Sequence, residues 1–493
     1  MKSSCSNRGR RARSDRGYAA ILTALLLVPL MGFAGFAVDI GAWYSQASSL
    51  QRAADAAALA GVVWQPDFGS ADAAARAEAT RNGFTHGVDG ITVSVVDTGN
   101  NRLEVEIVDS SADLYFASLF IDNVTIGRLA VAEYVDSVPL GSPEGRFGTG
   151  DLNPGGASAV NFWAALSGYC TSKDDGDQIM VRYEWIGRNG CTSPSGSWAL
   201  NGDYDPGGYW YGIDKSPALG TSINVDVYDE SACDGSSGDI DIVYGDNPPG
   251  AFTTVWTLHE ADNTPLNDFD NPVYATVTSA EGATCGAWNT MFTIPAGGLS
   301  GRWMINVRTR AADNALGHNL YALWARRPSD VSPCSALTDP TCPNVFGVKR
   351  ISVTVDSDGV ATDNFFLAEI GEVHAGKQMR VSLWDTADGM EFLKILDPNG
   401  VPVSFNFETA DGAYGPRVNN TCGGEPCLDV FISGGFPYNG RLIEITIDLP
   451  NSAAFATYPN DWWKINYQAQ GSSVWDRTTW GVEVLGDPVR LLE

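Results

Sequence analysis

Apolar residues first run without interruption along this chain and then fall into step. From Tyr18 to Val38 (YAAILTALLLVPLMGFAGFAV) 21 consecutive positions carry no charge. At about 1.5 Å rise per residue such a helix spans about 30 Å, the thickness of a bilayer's hydrocarbon. A cleaved secretory signal has a shorter apolar core, about 7 to 15 residues, and ends in a structural break. Here no break follows. Ile40, Trp43, Ala47, Leu50, Ala54, Ala57 and Gly61 recur at steps of three and four through an alanine-rich run, a pattern of high helix propensity. The spacing predicts one rod: a transmembrane helix over 18–38 and an amphipathic helix over 39–63, kinked at Pro29.

Further along the period shortens. Residues 70–83 predict a short helix with an alanine face, closed by Gly83. Three alternating runs then predict half-buried strands: Ile91, Val93, Val95; Leu103, Val105, Ile107; and Val124, Ile126 with Ala130, Ala132, Tyr134. Residues 64–137 are therefore expected to form a small α+β unit, and the Gly-, Pro- and Ser-rich stretch 138–154 a linker.

Beyond the linker the chain repeats itself. Ile223, Val225, Val227 and Asp229 recur as Met379, Val381, Leu383 and Asp385. Trp303, Ile305, Val307 recur as Trp463, Ile465, Tyr467, and the run from Tyr321 as the run from Trp480. Turns starting at Asp262 and Asp397 follow Trp256, Leu258 and Leu393, Ile395. Order and spacing persist, so two tandem β-sandwich or jelly-roll-like domains are expected, over 155–345 (with a connector) and 346–493. The fold class is mainly β, led by a long N-terminal α-helix and the small α+β unit. At 493 residues the chain exceeds what one hydrophobic core supports.

Charge divides the chain in two. Residues 1–17 form a basic tail, with Lys2, Arg8, Arg10, Arg11, Arg13 and Arg16 against Asp15, so a net charge of −28 conceals −33 beyond it. By the positive-inside rule the tail is cytoplasmic and the bulk of the chain extracytoplasmic. A body this acidic repels phosphate backbones, which argues against nucleic-acid partners. Cys5 lies in the tail. The other eight cysteines (Cys170, Cys191, Cys233, Cys285, Cys334, Cys342, Cys422, Cys427) lie outside, an even number that suits an oxidising compartment. No CxxC pair supports a zinc site. Eight cysteines allow 105 pairings; modules that fold independently keep crosslinks internal, so the expected bridges join sequence neighbours: Cys170–Cys191, Cys233–Cys285, Cys334–Cys342 and Cys422–Cys427.

The stretch DRGYAAILTALLLVPLMGFAGFAVDIGAWYSQASSLQRAADAAALAG resembles the N-terminal segment of the TadE/TadG-like Flp pilus-assembly proteins. It has an Arg-Gly before the span, a Val-Asp-x-Gly at its exit, then a tyrosine, a leucine and the AADAAALAG run. The resemblance covers about residues 16–63. It implies a pilin-like or minor-pilin-like component of the tight-adherence secretion machinery, with the lipid bilayer and the Tad/Flp pilus or secretion-platform proteins as partners. It also marks Gly17–Tyr18 as a prepilin-type processing point, although Leu22 stands where related prepilins carry glutamate.

Candidate chemistry is sparse. Four histidines exist (His86, His259, His318, His374). His259-Glu260 begins like a zinc-protease motif, but Asn263 replaces the second ligand. No nucleophile elbow, P-loop or GxGxxG occurs, and no small-molecule substrate is identified. Acidic clusters (Asp174, Asp175, Asp177; Asp239, Asp241; Asp268, Asp270; Asp356, Asp358) would suit calcium if any ion, yet none has a calcium-loop spacing and Asp is an ordinary turn former; no cofactor is expected. Trp163, Trp185, Trp210, Trp256, Trp303, Trp324, Trp384 and Trp475 either fill sandwich cores or stack on sugars. Three classes of function follow: a structural or accessory pilus-assembly component, an adhesin or glycan- or protein-binding module on a membrane stalk, and an enzyme built on paired carboxylates. The first is the expectation and the second its alternative.

Overall fold

The computed structural model describes residues 16–65, 68–99, 102–134, 138–148, 160–184, 191, 199–215, 220–233, 242–243, 252–262, 271–357, 359–386, 390–431, 435, 437–469, 474–485 and 489–492. It is mainly β and divides into two units.

The first unit begins with a single helix, α1 (Arg16–Val62), which runs from the uncharged span through Pro29 into the alanine-rich stretch. Helix α2 (Phe68–Arg81) follows, then strands β1 (Ile91–Gly99), β2 (Arg102–Asp109) and β3 (Ile126–Tyr134). Alternation decides which face each strand buries: Val93, Leu103, Val105, Ile107 and Ala132 point into a core completed by Leu50, Ala53, Ala54, Ala57, Ala58 and Val62 of α1. Ala71, Ala75 and Ala79 of α2, at i, i+4, i+8, close the same core. Small residues let the helices approach closely. At Gly61 a Cβ would lie 2.9 Å from the Ala71 carbonyl oxygen and against the Leu103 side chain, so even alanine would not fit.

The fourth strand of this sheet comes from the other end of the chain. Val489–Leu492 pairs antiparallel with β3, Val489 opposite Tyr134 and Leu491 opposite Ala132. The expected second sandwich, 346–493, therefore loses its last residues to the first unit, where they cover the edge that β3 would otherwise leave open.

The second unit, Val135–Pro488, contains the repeat. Its first half supplies β4 (Pro139–Leu140), β5 (Arg146–Phe147), β6 (Val160–Ser167), β7 (Tyr209–Lys215), β8 (Ile223–Tyr228), β9 (Ile242–Val243), β10 (Thr254–His259), β11 (Val273–Ser279), β12 (Trp288–Ile294), β13 (Gly301–Thr309) and β14 (Gly317–Arg326). Its second half supplies β15 (Val345–Val348), β16 (Arg350–Ser357), β17 (Ala361–Glu369), β18 (Gln378–Trp384), β19 (Met390–Leu396), β20 (Asn406–Thr409), β21 (Arg417–Val418), β22 (Asn420–Cys422), β23 (Glu425–Asp429), β24 (Leu442–Asp448), β25 (Trp462–Ala469) and β26 (Val474–Leu485).

One sheet has the order β11-β10-β13-β7-β15-β4-β17-β25-β19-β23-β22, and the other β12-β8-β14-β6-β16-β26-β18-β24-β20-β21. Both orders are close to palindromes. Each half is an eight-stranded jelly roll, β6-β14-β8-β12 over β7-β13-β10-β11 in the first and β16-β26-β18-β24 over β17-β25-β19-β23 in the second. The leading strands β6 and β16 pair antiparallel, Phe162 opposite Val355 and Ala164 opposite Val353, so the halves sit as if related by a twofold axis. The repeat read from the sequence falls on equivalent strands: Ile223, Val225, Val227 on β8 and Met379, Val381, Leu383 on β18, all buried. Trp303 and Ile305 on β13 likewise match Trp463 and Ile465 on β25.

Two expectations need correcting. The boundary at 345/346 falls inside β15, and both sheets and one continuous core run across it, because each half pairs its leading strand with the other's instead of leaving an edge. The stretch 138–154, expected as a linker, carries β4 and β5 where it is described, with Leu140 and Phe147 fully buried. Glycine there marks a tight turn: Gly141, at φ +98°, has the Phe147 ring packed where a Cβ would stand.

Candidate functional site: the apolar helix and its docking loop

The uncharged part of α1 exposes its side chains on every face from Ile21 to Leu27 and from Pro29 to Ala34. A helix apolar all round with no protein against it suits hydrocarbon and not water. The stretch Ile21–Val62 is long and apolar enough to cross a membrane.

The first charge after the span is Asp39, and it is fully buried. Its carboxylate accepts the backbone N–H groups of Tyr115 (2.8 Å), Phe116 (3.0 Å) and Ala117 (2.5 Å), at the start of a 3-10 turn over Ala117–Leu119. Three converging amides replace the hydration a carboxylate gives up on burial. Two further polar side chains of α1 reach the end of β2 and the connection that follows it. Trp43 Nε1 donates to the Asp113 carbonyl (3.1 Å), and the Gln46 amide donates to the Asp109 carboxylate. One turn earlier, a Cβ at Gly35 would stand 2.8 Å from Phe116 Cγ, so glycine is what admits that ring. The Phe36 and Phe120 rings stack at 6.1 Å.

Several residues of the recognisable N-terminal stretch thus have physical partners. Gly35 and Asp39 hold the loop, while Ala54, Ala57, Ala58 and Gly61 form the closely packed face against α2 and the sheet. The loop itself is absent from the sequence reading. Its signal was eight uncharged residues, Leu114 to Ile121 (LYFASLFI), set between Asp113 and Asp122. Gly17 and Tyr18 lie in the first turn of α1. Cys5 lies outside the described residues.

Four disulfides join Cys170–Cys191, Cys233–Cys285, Cys334–Cys342 and Cys422–Cys427, with Cα–Cα separations of 5.2, 5.9, 5.7 and 5.8 Å. All lie in the second unit, each within one half or its connector.

Of the acidic clusters, Asp177 has a structural role. Asp177 is buried and accepts from Ser167 N (2.9 Å), Tyr209 Oη (2.6 Å), Ile179 N (3.1 Å) and Met180 N (3.0 Å), which leaves little of it for an ion. Asp174 and Asp175 lie in a 3-10 turn, and Asp356 on β16. Asp239, Asp241, Asp268, Asp270 and Asp358, like Trp185 and Asn263, lie outside the described residues. Among the described residues no group of three His, Cys, Asp or Glu is placed to hold a metal. His259, on β10, shares a 2.7 Å hydrogen bond with the Asn271 carbonyl, a strand setting unlike the helix of a zinc protease. Of the tryptophans, Trp163, Trp256, Trp303 and Trp384 are buried, Trp210 and Trp324 half-buried, and Trp475 is exposed. A cavity of about 140 Å³ opens where the halves of the second unit meet, between Glu144, Arg146, Phe162, Asn364 and Phe365.

No curated protein matches the chain. Residues 17–63 match the Tad family model, described as "Putative Flp pilus-assembly TadE/G-like".

Proposed function

We propose that this protein is a structural or accessory, minor-pilin-like component of a Tad/Flp pilus-assembly apparatus, anchored by α1 with its N-terminus in the cytoplasm and both folded units outside. The observation that carries the reading is the continuity of α1, whose apolar span passes without a break into the alanine face packed on α2 and the sheet. A cleaved leader is dispensable to the fold it precedes; this helix supplies much of the core of the first unit. The orientation is supported by the basic residues before the span and by disulfides in the second unit, which persist in oxidising compartments. The role is non-enzymatic, one of anchoring and assembly.

Crosslinking the native chain in its own membrane and identifying what copurifies tests this. Tad or Flp components are expected among the products, and their absence overturns the assembly role. A second reading, an adhesin or binding module on a membrane stalk, draws on the cavity between the two jelly rolls. A bound glycan or surface protein in place of pilus components would favour it.

A further inference from the structure

The loop Leu114–Ile121 presents an exposed apolar surface that the core does not use. Leu119 is 79% exposed, Phe120 74%, Tyr115 59% and Phe116 52%. No charge falls between Asp113 and Asp122. Solitary exposed apolar side chains are ordinary on a protein surface; a contiguous cluster is not.

Position gives this cluster its meaning. The Phe120 ring stacks on Phe36 and the Phe116 ring lies against Gly35, both residues inside the uncharged span. If α1 crosses a bilayer, these rings stand at the depth of its last turn within the membrane. The apolar surface is continuous, since Phe33, Phe36 and Val38 of α1 are exposed beside them.

Irregular backbone enters such a region only when its polar groups are already paired. Here they are. Asp39 takes the amides of 115, 116 and 117. Inside the turn, Leu119 N donates to Phe116 O (3.3 Å), and Phe120 N and Ile121 N donate to Ala117 O (2.9 and 3.0 Å). Aromatic residues with a tyrosine among them match the composition of the membrane–water boundary.

We infer that residues 115–121 form a membrane foot: a loop clamped by Asp39 against the exit of α1, whose Tyr115, Phe116, Leu119 and Phe120 side chains insert into the interfacial zone of the leaflet on the side of the folded units. The inference rests on the membrane reading of α1. It replaces a unit standing off the surface on a free stalk with one seated on the lipid at two places.

Depth-resolved quenching of the full-length chain tests it. In a Cys5→Ser background, Leu119→Cys and Phe120→Cys are labelled in turn with a bimane fluorophore, keeping the disulfides oxidised. The protein is reconstituted in phosphatidylcholine–phosphatidylglycerol vesicles whose acyl chains are brominated near their carboxyl ends. Leu119 makes no ring contact and is exposed, so its replacement spares the fold if Phe120→Cys does not. Labels at Leu25→Cys and Tyr44→Cys report the span and the aqueous side. The expected result is a roughly twofold loss of emission at position 119 with brominated lipid and little loss with aqueous iodide. Quenching at 119 by iodide, with Leu25→Cys still quenched by lipid, overturns the foot and leaves the anchor standing. Protection at 119 from both quenchers also overturns it, because protein, such as a second copy, then covers the loop. Failure of brominated lipid to quench Leu25→Cys overturns the membrane reading itself, and the foot with it.

Discussion

The carboxylates of Asp229 and Asp385 occupy equivalent corners of the two jelly rolls. Each residue directly follows its strand, β8 or β18, in the left-handed region, at φ 54° and φ 55°. Each buried carboxylate accepts the N–H of a glycine that leads into the next strand of the same sheet, Gly286 before β12 and Gly440 before β24. Left-handed backbone is unfavourable for residues with a Cβ, and Asp and Asn tolerate it best because their short side chains bond locally.

Asparagine is therefore expected to be tolerated at either corner and alanine is not. Asp385→Ala forfeits both the acceptor and the tolerance of positive φ, for a loss of about 2–4 kcal/mol. Asp385→Asn keeps an oxygen acceptor and should cost about 1 kcal/mol or less. Urea midpoints of the purified chain measure both. Equal losses for the two substitutions would show that the clamp contributes nothing.

Asp39 offers a sharper local test, because what it holds lies 76 to 78 residues away. Asp39→Ala leaves three amides of the 115–117 backbone without their acceptor. Local opening should become easier by about 2–4 kcal/mol, a roughly 30- to 700-fold rise in deuterium exchange at those amides. Exchange within β1 and β2, fixed by their own ladder, is expected to change little. Unaltered exchange at 115–117 would mean that the turn holds itself.

These three aspartates mark what the sequence could and could not disclose. Asp229 and Asp385 were legible because a strand of period two carries its own signal and the signal occurs twice; the same alternation located β13, β25, β14 and β26. The pairing of β6 with β16 was not. Every residue of β6 is buried, so it reads as a plain apolar run with no preferred face, and its partner is chosen by shape across the pseudo-twofold axis. The partners of Asp39 were not legible for another reason. A charge directly after an apolar span looks like the point where the chain meets water, and nothing local shows that distant amides enclose it. Gly35 and Gly61 stood in the recognisable stretch, but their use, close approach by Phe116 and by α2, exists only in three dimensions.

A half-buried carboxyl near the junction of the halves predicts how the second unit responds to pH. Burial, and then the neighbouring Asp461 and Asp214 charges, push the Glu369 carboxyl up to about 7 against partial relief from Arg302. The fold thus holds this proton more tightly than the unfolded chain does. Its stabilising contribution is full below the unfolded value of 4.5 and is lost as pH rises through about 7. The loss is on the order of 1–3 kcal/mol. Glu369→Gln, which stays neutral, should flatten thermal stability between those pH values and raise it at pH 8. A variant with the same pH dependence as the parent would assign the effect elsewhere.

The disulfides are expected to contribute unequally, in the order of the loops they close. Cys233–Cys285 spans 52 residues, Cys170–Cys191 21, Cys334–Cys342 8 and Cys422–Cys427 5. Chain entropy alone assigns them about 4, 3, 2.5 and 2 kcal/mol. The first also staples the corner that Asp229 clamps, since Cys285 directly precedes Gly286. In the second half Asn439 precedes Gly440, so no crosslink supports Asp385 there. Paired serine substitutions for each bridge, measured by urea unfolding, should rank in that order. Asp229→Ala should cost more in the Cys233→Ser/Cys285→Ser background than in the oxidised parent, by a coupling of about 0.5–3 kcal/mol, because the bridge no longer holds Gly286 in place. Additive losses would show that the bridge and the carboxylate act on the corner independently, and a larger effect from Cys422–Cys427 than from Cys233–Cys285 would defeat the entropic ranking.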